Sequence, residues 1–426
     1  MVNSDAKKVV LKTLGNMQEE LFKTLSGLVQ IPSVVGDEGK AQEYMAKLYK
    51  DLNLQVDIVE TKLDEIKNHP KYLALQWPYQ NRPNVVGIYR GTGGGRSLIL
   101  NGHIDTVSPE PVTSWKYPPF SGKIEDGKLY GRGAADMKGG LIANYYALKA
   151  ILDSGLKLKG DVQLQSVIEE EAGGSGGLLA LLVKGYRADG MIFSEPMGFN
   201  LMVATAGTCY FRVKVKGKPA HGGEAHKGVN AAGKMIIIYH ALEALERQRA
   251  TQVHYPLFDQ WLGQSAELSV GSFHSGNWPS TVPGLAEIEC RISFIPGEEL
   301  SDIRALVLKT IQDACREDPW LKEHPPEVEF FGWQTEAWEQ DPQHPLVSVL
   351  KRQAEDVLGQ EVGFTGFPAG MDNRFCGYYG IPSVSFGPTG ELHIVNEYVI
   401  LDTVLASAKV YAMTILDWCG YETDES

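Results

Sequence analysis

At 426 residues the chain is too long for one typical compact domain, and its 43% hydrophobic and 22% charged content is that of a soluble globular protein. A formal net charge of -13 argues against nucleic acid and anionic membrane as partners. No run of about 18 apolar residues marks a membrane span, and the first 25 residues carry an amphipathic helical pattern instead of a secretory signal. The cysteines Cys209, Cys290, Cys315, Cys376 and Cys419 are odd in number and form no C-x-x-C pair, which suits a reducing cytoplasm and offers no zinc-thiolate site.

From the N-terminus to about residue 200, helical and strand patterns alternate. The spacing predicts helices over 4–30 and 37–52, then a strand over 54–60. Apolar strands follow at 84–90 and 96–102, and the Gly91-Thr92-Gly93-Gly94-Gly95 between them reads as a hairpin turn, because no Gly-Lys-Ser/Thr follows to make a phosphate loop. A helix over 137–154, a strand over 161–169, a helix over 176–185 and a strand over 189–196 complete the first style, an α/β layer with a largely parallel sheet. The pattern then changes to a strand at 207–217, a helix at 229–249, strands at 266–274 and 284–295, a helix at 298–317 and a strand at 326–331. That order is the split β-α-β-β-α-β arrangement with one helix-covered face. A helix at 345–358 and a strand at 381–387 return to the first style. The expected organisation is a discontinuous α/β domain, 1–205 and 333–426, with a mixed, mostly parallel sheet, into which an α+β ferredoxin-like domain, 206–332, is inserted.

The chemistry-bearing residues cluster at strand ends. His103-Ile104-Asp105 follows an apolar strand, and residues two apart in an extended chain point to one side, so both can face one pocket. A nearby carboxylate also anchors the ring nitrogen that a ligating histidine leaves free; taken alone, the pair reads as a polar strand end. Asp136 stands between two glycine groups, Gly131-Arg132-Gly133 and Gly139-Gly140, at a helix start, where an Asp N-cap is the plain alternative. Glu169-Glu170-Glu171 ends another apolar strand, and three consecutive acids there repel one another unless a cation or proton compensates; a solvated charge run is the alternative. Glu195 repeats the situation before Pro196, and His393 comes from the last segment, Gly390 to Glu397. Together these are oxygen and nitrogen donors without a thiolate, a set that suits zinc, cobalt or manganese. The acids exceed the needs of one tetrahedral ion, whereas two ions sharing a bridging carboxylate use them all and leave one Glu as a base.

These motifs resemble those of the M20 family of metallopeptidases and deacylases, which includes acetylornithine deacetylase, succinyl-diaminopimelate desuccinylase, aminoacylase and carboxypeptidase G. The resemblance spans nearly the whole chain and implies a zinc-hydrolase catalytic domain carrying an inserted lid/dimerisation domain. It implies His103 and Glu195 on one zinc, Glu171 and His393 on the other, and Asp136 bridging them. Asp105 would orient His103, and Glu170 matches the general base. The family has Asp-Glu-Glu where this chain has Glu169-Glu170-Glu171. These roles follow from matching the Ala-Gly-Gly that comes next; a slip by one would make Glu169 the base and Glu170 the ligand. A cis peptide after Asp136 is also implied.

In the inserted domain, His221 matches the lid histidine that reaches a partner's active site and stabilises the oxyanion, with an exposed loop histidine as the plain alternative. Asn277 and Arg291 sit at substrate-contacting positions of the family, Arg291 alternatively holding the lid's own strands together. Gly370 lies where relatives contact substrate through the backbone, although Met371 departs from the Thr or Ser that usually follows. The expected activity is that of a metal-dependent amidohydrolase of linear amides, acting on a small N-acyl amine or N-acyl amino acid in the manner of acetylornithine deacetylase. The alternatives are a formylaminopyrimidine deformylase of thiamin salvage and a dipeptidase or carboxypeptidase of the same family. Two Zn2+ ions (Co2+ or Mn2+ substituting), a homodimer formed through the lid and a cytoplasmic location complete the expectation.

Overall fold

The computed structural model describes residues 4–422, which divide into two compact units. The first comprises the chain up to Val203, Gln340–Thr365 and the segment from Met371 onward; the second comprises Ala204–Glu339 and Gly366–Gly370. The boundaries therefore differ from the expected 206–332. The strand Glu327–Thr335 runs past residue 332, and Trp338–Glu339 pairs with Thr205 and Ala204 before the chain leaves the second unit. Residues Gly366–Gly370 join that unit because Phe367 O accepts the N–H of Ala206 at 2.9 Å and Pro368 O accepts the guanidinium of Arg291 at 3.0 Å.

The first unit is built on a mixed sheet. Its strands lie in the spatial order Gln55–Val59, Asn84–Tyr89, Val162–Val167, Leu98–His103, Met191–Phe193, Ser383–Ser385 and Leu201–Thr205. The four from Val162–Val167 to Ser383–Ser385 are parallel, and the flanking pairs are antiparallel. Central strands of this kind are buried on both faces and read as continuous apolar runs, as Leu98–Leu100 and Met191–Phe193 do. Ile99, Met191 and Phe193 pack against Leu178, Leu182 and Phe375. The helices Gly139–Asp153 and Leu401–Cys419 pack against each other and are buried along most of their length.

The expected hairpin between 84–90 and 96–102 does not form. The strand Val162–Val167 lies between the two, pairing antiparallel with one and parallel with the other. The glycine segment serves a different purpose: a Cβ on Gly91 would lie 2.3 Å from Lys159 O, and one on Gly95 would lie 1.9 Å from Cys419 O. Only glycine lets this loop cross so closely over the start of the intervening strand. The expected helix over 4–30 is two helices, Ser4–Asn16 and Gln18–Val29, broken at Met17.

The second unit has four antiparallel strands in the order Leu268–Ser275, Leu285–Phe294, Gly207–Lys216, Glu327–Thr335, with the helices Ala231–Gln252 and Leu300–Arg316 packed on them. This is the split βαβ topology. Phe211, Val213, Ile288, Ile292, Leu242 and Val307 form its core, and the opposite strand face carries ion pairs such as Arg212 with Glu289 and Glu329. All five cysteines are buried and free. No helix among the described residues is long and apolar enough to cross a membrane.

Candidate metal centre

The site is assembled at the carboxyl ends of the parallel strands of the first unit, the usual place for a ligand in an open α/β sheet. His103 is the last residue of Leu98–His103 and is 2% exposed. Its Nδ1 lies 2.9 Å from the backbone carbonyl of Asp105, while the Asp105 carboxylate is farther, at 3.5 Å. The backbone carbonyl and the carboxylate of Asp105 both face this ring nitrogen. The carboxylate also accepts the backbone N–H groups of Glu170 (3.2 Å) and Glu171 (3.0 Å).

Asp136 follows Gly133, whose φ of 81° lies in the left-handed region that glycine favours. The chain here is extended at Asp136 (φ -115°, ψ 98°), and the Asp136–Met137 peptide is cis. The Asp136 carboxylate lies toward both histidines. Oδ1 lies 3.0 Å from His103 Nε2, and Oδ2 lies 3.3 Å from His393 Nε2. Glu195 comes from the neighbouring strand end, its Oε2 3.9 Å from His103 Nε2. His393 Nε2 also lies 2.9 Å from Glu171 Oε1.

Two groups result, His103–Asp136–Glu195 and Asp136–Glu171–His393, each able to bring one ligand atom per residue within 4.8 Å of the others. Asp136 is common to both.

The three consecutive glutamates point to different places. Glu169, fully buried at a positive φ of 70°, turns back so that its Oε1 accepts the Gly176 N–H at 2.7 Å. Its other oxygen faces Arg82 at 3.6 Å, and Arg82 is held in a bidentate pair with Glu38 at 2.6 and 2.7 Å. Glu171 reaches His393. Glu170 belongs to neither ligand group.

The electrostatics are those of crowded carboxylates. Burial pushes the Glu170 and Glu195 carboxyls well above their ordinary range, with neighbouring acids adding to the shift and His103 opposing it. Burial raises Glu171 too, with Asp136 adding. Burial would also raise Asp136, but its hydrogen bonds with His103 and His393 outweigh this and hold it below the ordinary carboxylate range. His393 is raised to about 10 by its contacts with Asp136 and Glu171. Two imidazoles cannot balance this many acids; divalent cations can.

The remaining expected residues lie in the second unit. His221 is exposed in a two-residue strand paired with Thr281–Val282, its Nδ1 accepting the Gly223 N–H at 3.1 Å. Asn277 lines a cavity of about 630 Å3 together with Pro219, His274 and Glu287. Arg291 is half-buried and bonded to Pro368 O, and Gly370 abuts Thr335 and Trp333.

Three features are not apparent from the sequence pattern. One is the buried Glu38–Arg82–Glu169 network. A second is Asp372, 3% exposed and raised by burial to about 7, whose neighbour Arg374 donates to Gly173 O at 2.6 Å. The third is Glu397, whose carboxylate holds the Asp136 loop. Polar residues flanked by glycines at 370–374, and an acid four positions after His393, were the available signals.

Residues 99–417 match the pattern of Peptidase family M20/M25/M40. The chain is 28% identical over 427 residues to an N-formyl-4-amino-5-aminomethyl-2-methylpyrimidine deformylase of Halalkalibacterium halodurans, covering 94% of this chain and 95% of that protein. It is likewise 28% identical over 370 residues to the deformylase of that name from Bacillus subtilis, covering 82% and 85%. Among solved structures, the M20 family metallo-carboxypeptidase Sso-CP2 from Sulfolobus solfataricus superposes with a TM-score of 0.73 at 20% identity, over 93% of this chain and 98% of that one.

Proposed function

The chain belongs to Peptidase family M20/M25/M40 and is a metal-dependent amide hydrolase, and on that premise we propose that it is a two-metal deacylase of small N-acyl amines whose preferred substrate carries an N-formyl group on an aminomethylpyrimidine. The observation that carries the chemistry is the sharing of Asp136 between two three-residue ligand groups, with Glu170 outside both. The donor set fits two divalent ions: each group offers one imidazole nitrogen and two carboxylates, all within 4.8 Å, and no thiolate. Zn2+ is the first choice, with Co2+ or Mn2+ as substitutes. When bound, such ions polarise the amide carbonyl and acidify water.

The chain's own residues do the rest. His103, Asp136 and Glu195 would hold one ion, and Asp136, Glu171 and His393 the other. Glu170 takes a proton from the attacking water and delivers it to the departing amine nitrogen, so one group serves as base and then acid. The raised Glu170 carboxyl suits that exchange, because burial makes the carboxylate a stronger proton acceptor than an ordinary one. His221 stabilises the oxyanion of a partner subunit's substrate in a cytoplasmic homodimer formed through the second unit, and Asn277, Arg291 and the Gly370 backbone contact the substrate. The likeness to the two curated deformylases, over most of both chains, favours the formyl substrate over an N-acyl amino acid.

The test is a panel of N-formyl, N-acetyl and N-succinyl amines beside dipeptides, offered to the purified metal-loaded protein. The N-formyl aminomethylpyrimidine is expected to show the highest kcat/KM. Faster turnover of a dipeptide would replace the deacylase reading with a peptidase one.

A further inference from the structure

We propose that Glu397 is a positioning residue for the Asp136 carboxylate, a role that rests on the two-metal reading above. Glu397 is fully buried, and its Oε1 accepts the backbone N–H groups of both Ala135 (3.1 Å) and Asp136 (3.3 Å). Its other oxygen receives the Arg132 guanidinium, which also donates to Ser108 O at 3.3 Å and lies 5.3 Å from the Trp115 ring centre. The Gly131 N–H donates to the Glu397 carbonyl at 2.9 Å, and Tyr398–Ile400 pairs with Lys128–Tyr130.

These bonds matter because the loop cannot satisfy itself. Ala134 N–H donates to Gly131 O and Lys138 N–H to Gly133 O, but Ala135 and Asp136 come directly after the left-handed Gly133, so no preceding turn of helix receives their N–H groups. Buried amides without partners are costly, and Glu397 supplies one acceptor for both. That fixes the direction of the Asp136 side chain, whose two oxygens are divided between His103 and His393. His393 itself lies four positions before Glu397. One segment therefore delivers an imidazole to the second ligand group and grips the backbone from which the shared carboxylate projects, so the two are set in register with each other.

The variants Glu397→Ala, Glu397→Asp and Glu397→Gln separate this from a purely structural role. Glutamine keeps an acceptor oxygen at the same reach, aspartate keeps the charge but withdraws it by one methylene, and alanine removes it. Each is stripped with chelator and titrated with Zn2+ by calorimetry, and the Co2+ d–d spectrum is recorded. Wild type is expected to take up two ions, the glutamine variant two with near-wild-type affinity, and the alanine variant to lose about 10–100-fold at one site or both, with an altered d–d band. The aspartate variant should fall between, and it decides the matter if the alanine variant does not fold. Two ions bound with wild-type affinity and spectrum by the alanine or aspartate variant, even with a lowered Tm, would overturn the role of Glu397 alone. A wild-type chain that takes up fewer than two ions would overturn the two-metal reading beneath it.

Discussion

The carboxylate of Asp105 accepts the backbone N–H of Glu171 at 3.0 Å, and through its other oxygen that of Glu170 at 3.2 Å. A fully buried side chain on one strand end thus holds the turn that presents both the candidate base and a candidate ligand. Asp105→Ala leaves two amides without an acceptor, at about 1–3 kcal/mol each, and kcat is expected to fall about 10–100-fold. Asp105→Asn keeps one acceptor and should lose less. Steady-state kinetics on both variants check this; an alanine variant with wild-type kcat would show that the turn holds itself.

Glu170→Gln should take up both metal ions yet lose about 10²–10⁴ in kcat, the usual worth of a general base. Glu171→Gln, by contrast, should lose metal from the second group, because Glu171 and not Glu170 stands against His393. Metal content by elemental analysis beside kcat separates the two. Loss of metal from Glu170→Gln, with Glu169→Gln keeping both ions but losing turnover, would mean the register of the three glutamates is shifted by one.

Glu169 makes stability depend on pH. Burial raises its carboxyl to about 8 from the usual 4.5, the Gly176 N–H and Arg82 opposing. Between these values the folded chain keeps a proton that the unfolded chain releases. Stability of the metal-free protein therefore falls as pH rises through that window, by up to about 1.4 kcal/mol per pH unit from this group. Below pH 4.5 the penalty vanishes. Urea unfolding of the metal-free protein at about pH 5 and about pH 8 should show a smaller gap for Glu169→Gln than for wild type; an equal gap would mean Glu169 is ionised in the folded chain throughout.

Chelation should abolish activity and lower Tm, with Zn2+, Co2+ or Mn2+ restoring both. Burial and mutual repulsion raise Glu171 and Glu195 in the metal-free chain, and an ion at roughly 100 times its Kd adds about 2.7 kcal/mol to stability. Thermal melts with and without chelator, paired with assays, check this. Full activity in protein shown to hold no metal would remove the basis of the mechanism.

Much of the site was legible in the sequence because His103, Asp136, Glu169–Glu171 and Glu195 each adjoin a local signal. His103 follows Leu98-Ile99-Leu100, Glu195 follows Met191-Ile192-Phe193, and glycines flank Asp136 and the Glu169–Glu171 turn. An apolar run ending in a charged residue announces a strand end, and that information is contained within about ten positions. The alternation of strands and helices, and its switch near residue 205, was readable for the same reason.

What lies far apart in sequence was not. The hairpin expected across Gly91–Gly95 is replaced by a strand from about 70 positions later, because strand order depends on which edges pair. The helix Leu401–Cys419 has almost no polar face to give it a period, being buried nearly all round. Glu397 grips an amide 261 positions away, and Glu38, Arg82 and Glu169 close a buried network from three separate segments. Local patterning determined which residues could serve the chemistry. Only the packed sheet and the short Tyr398–Ile400 pairing decided how they are aimed, since direction is set by backbone hydrogen bonds between segments that share no local pattern.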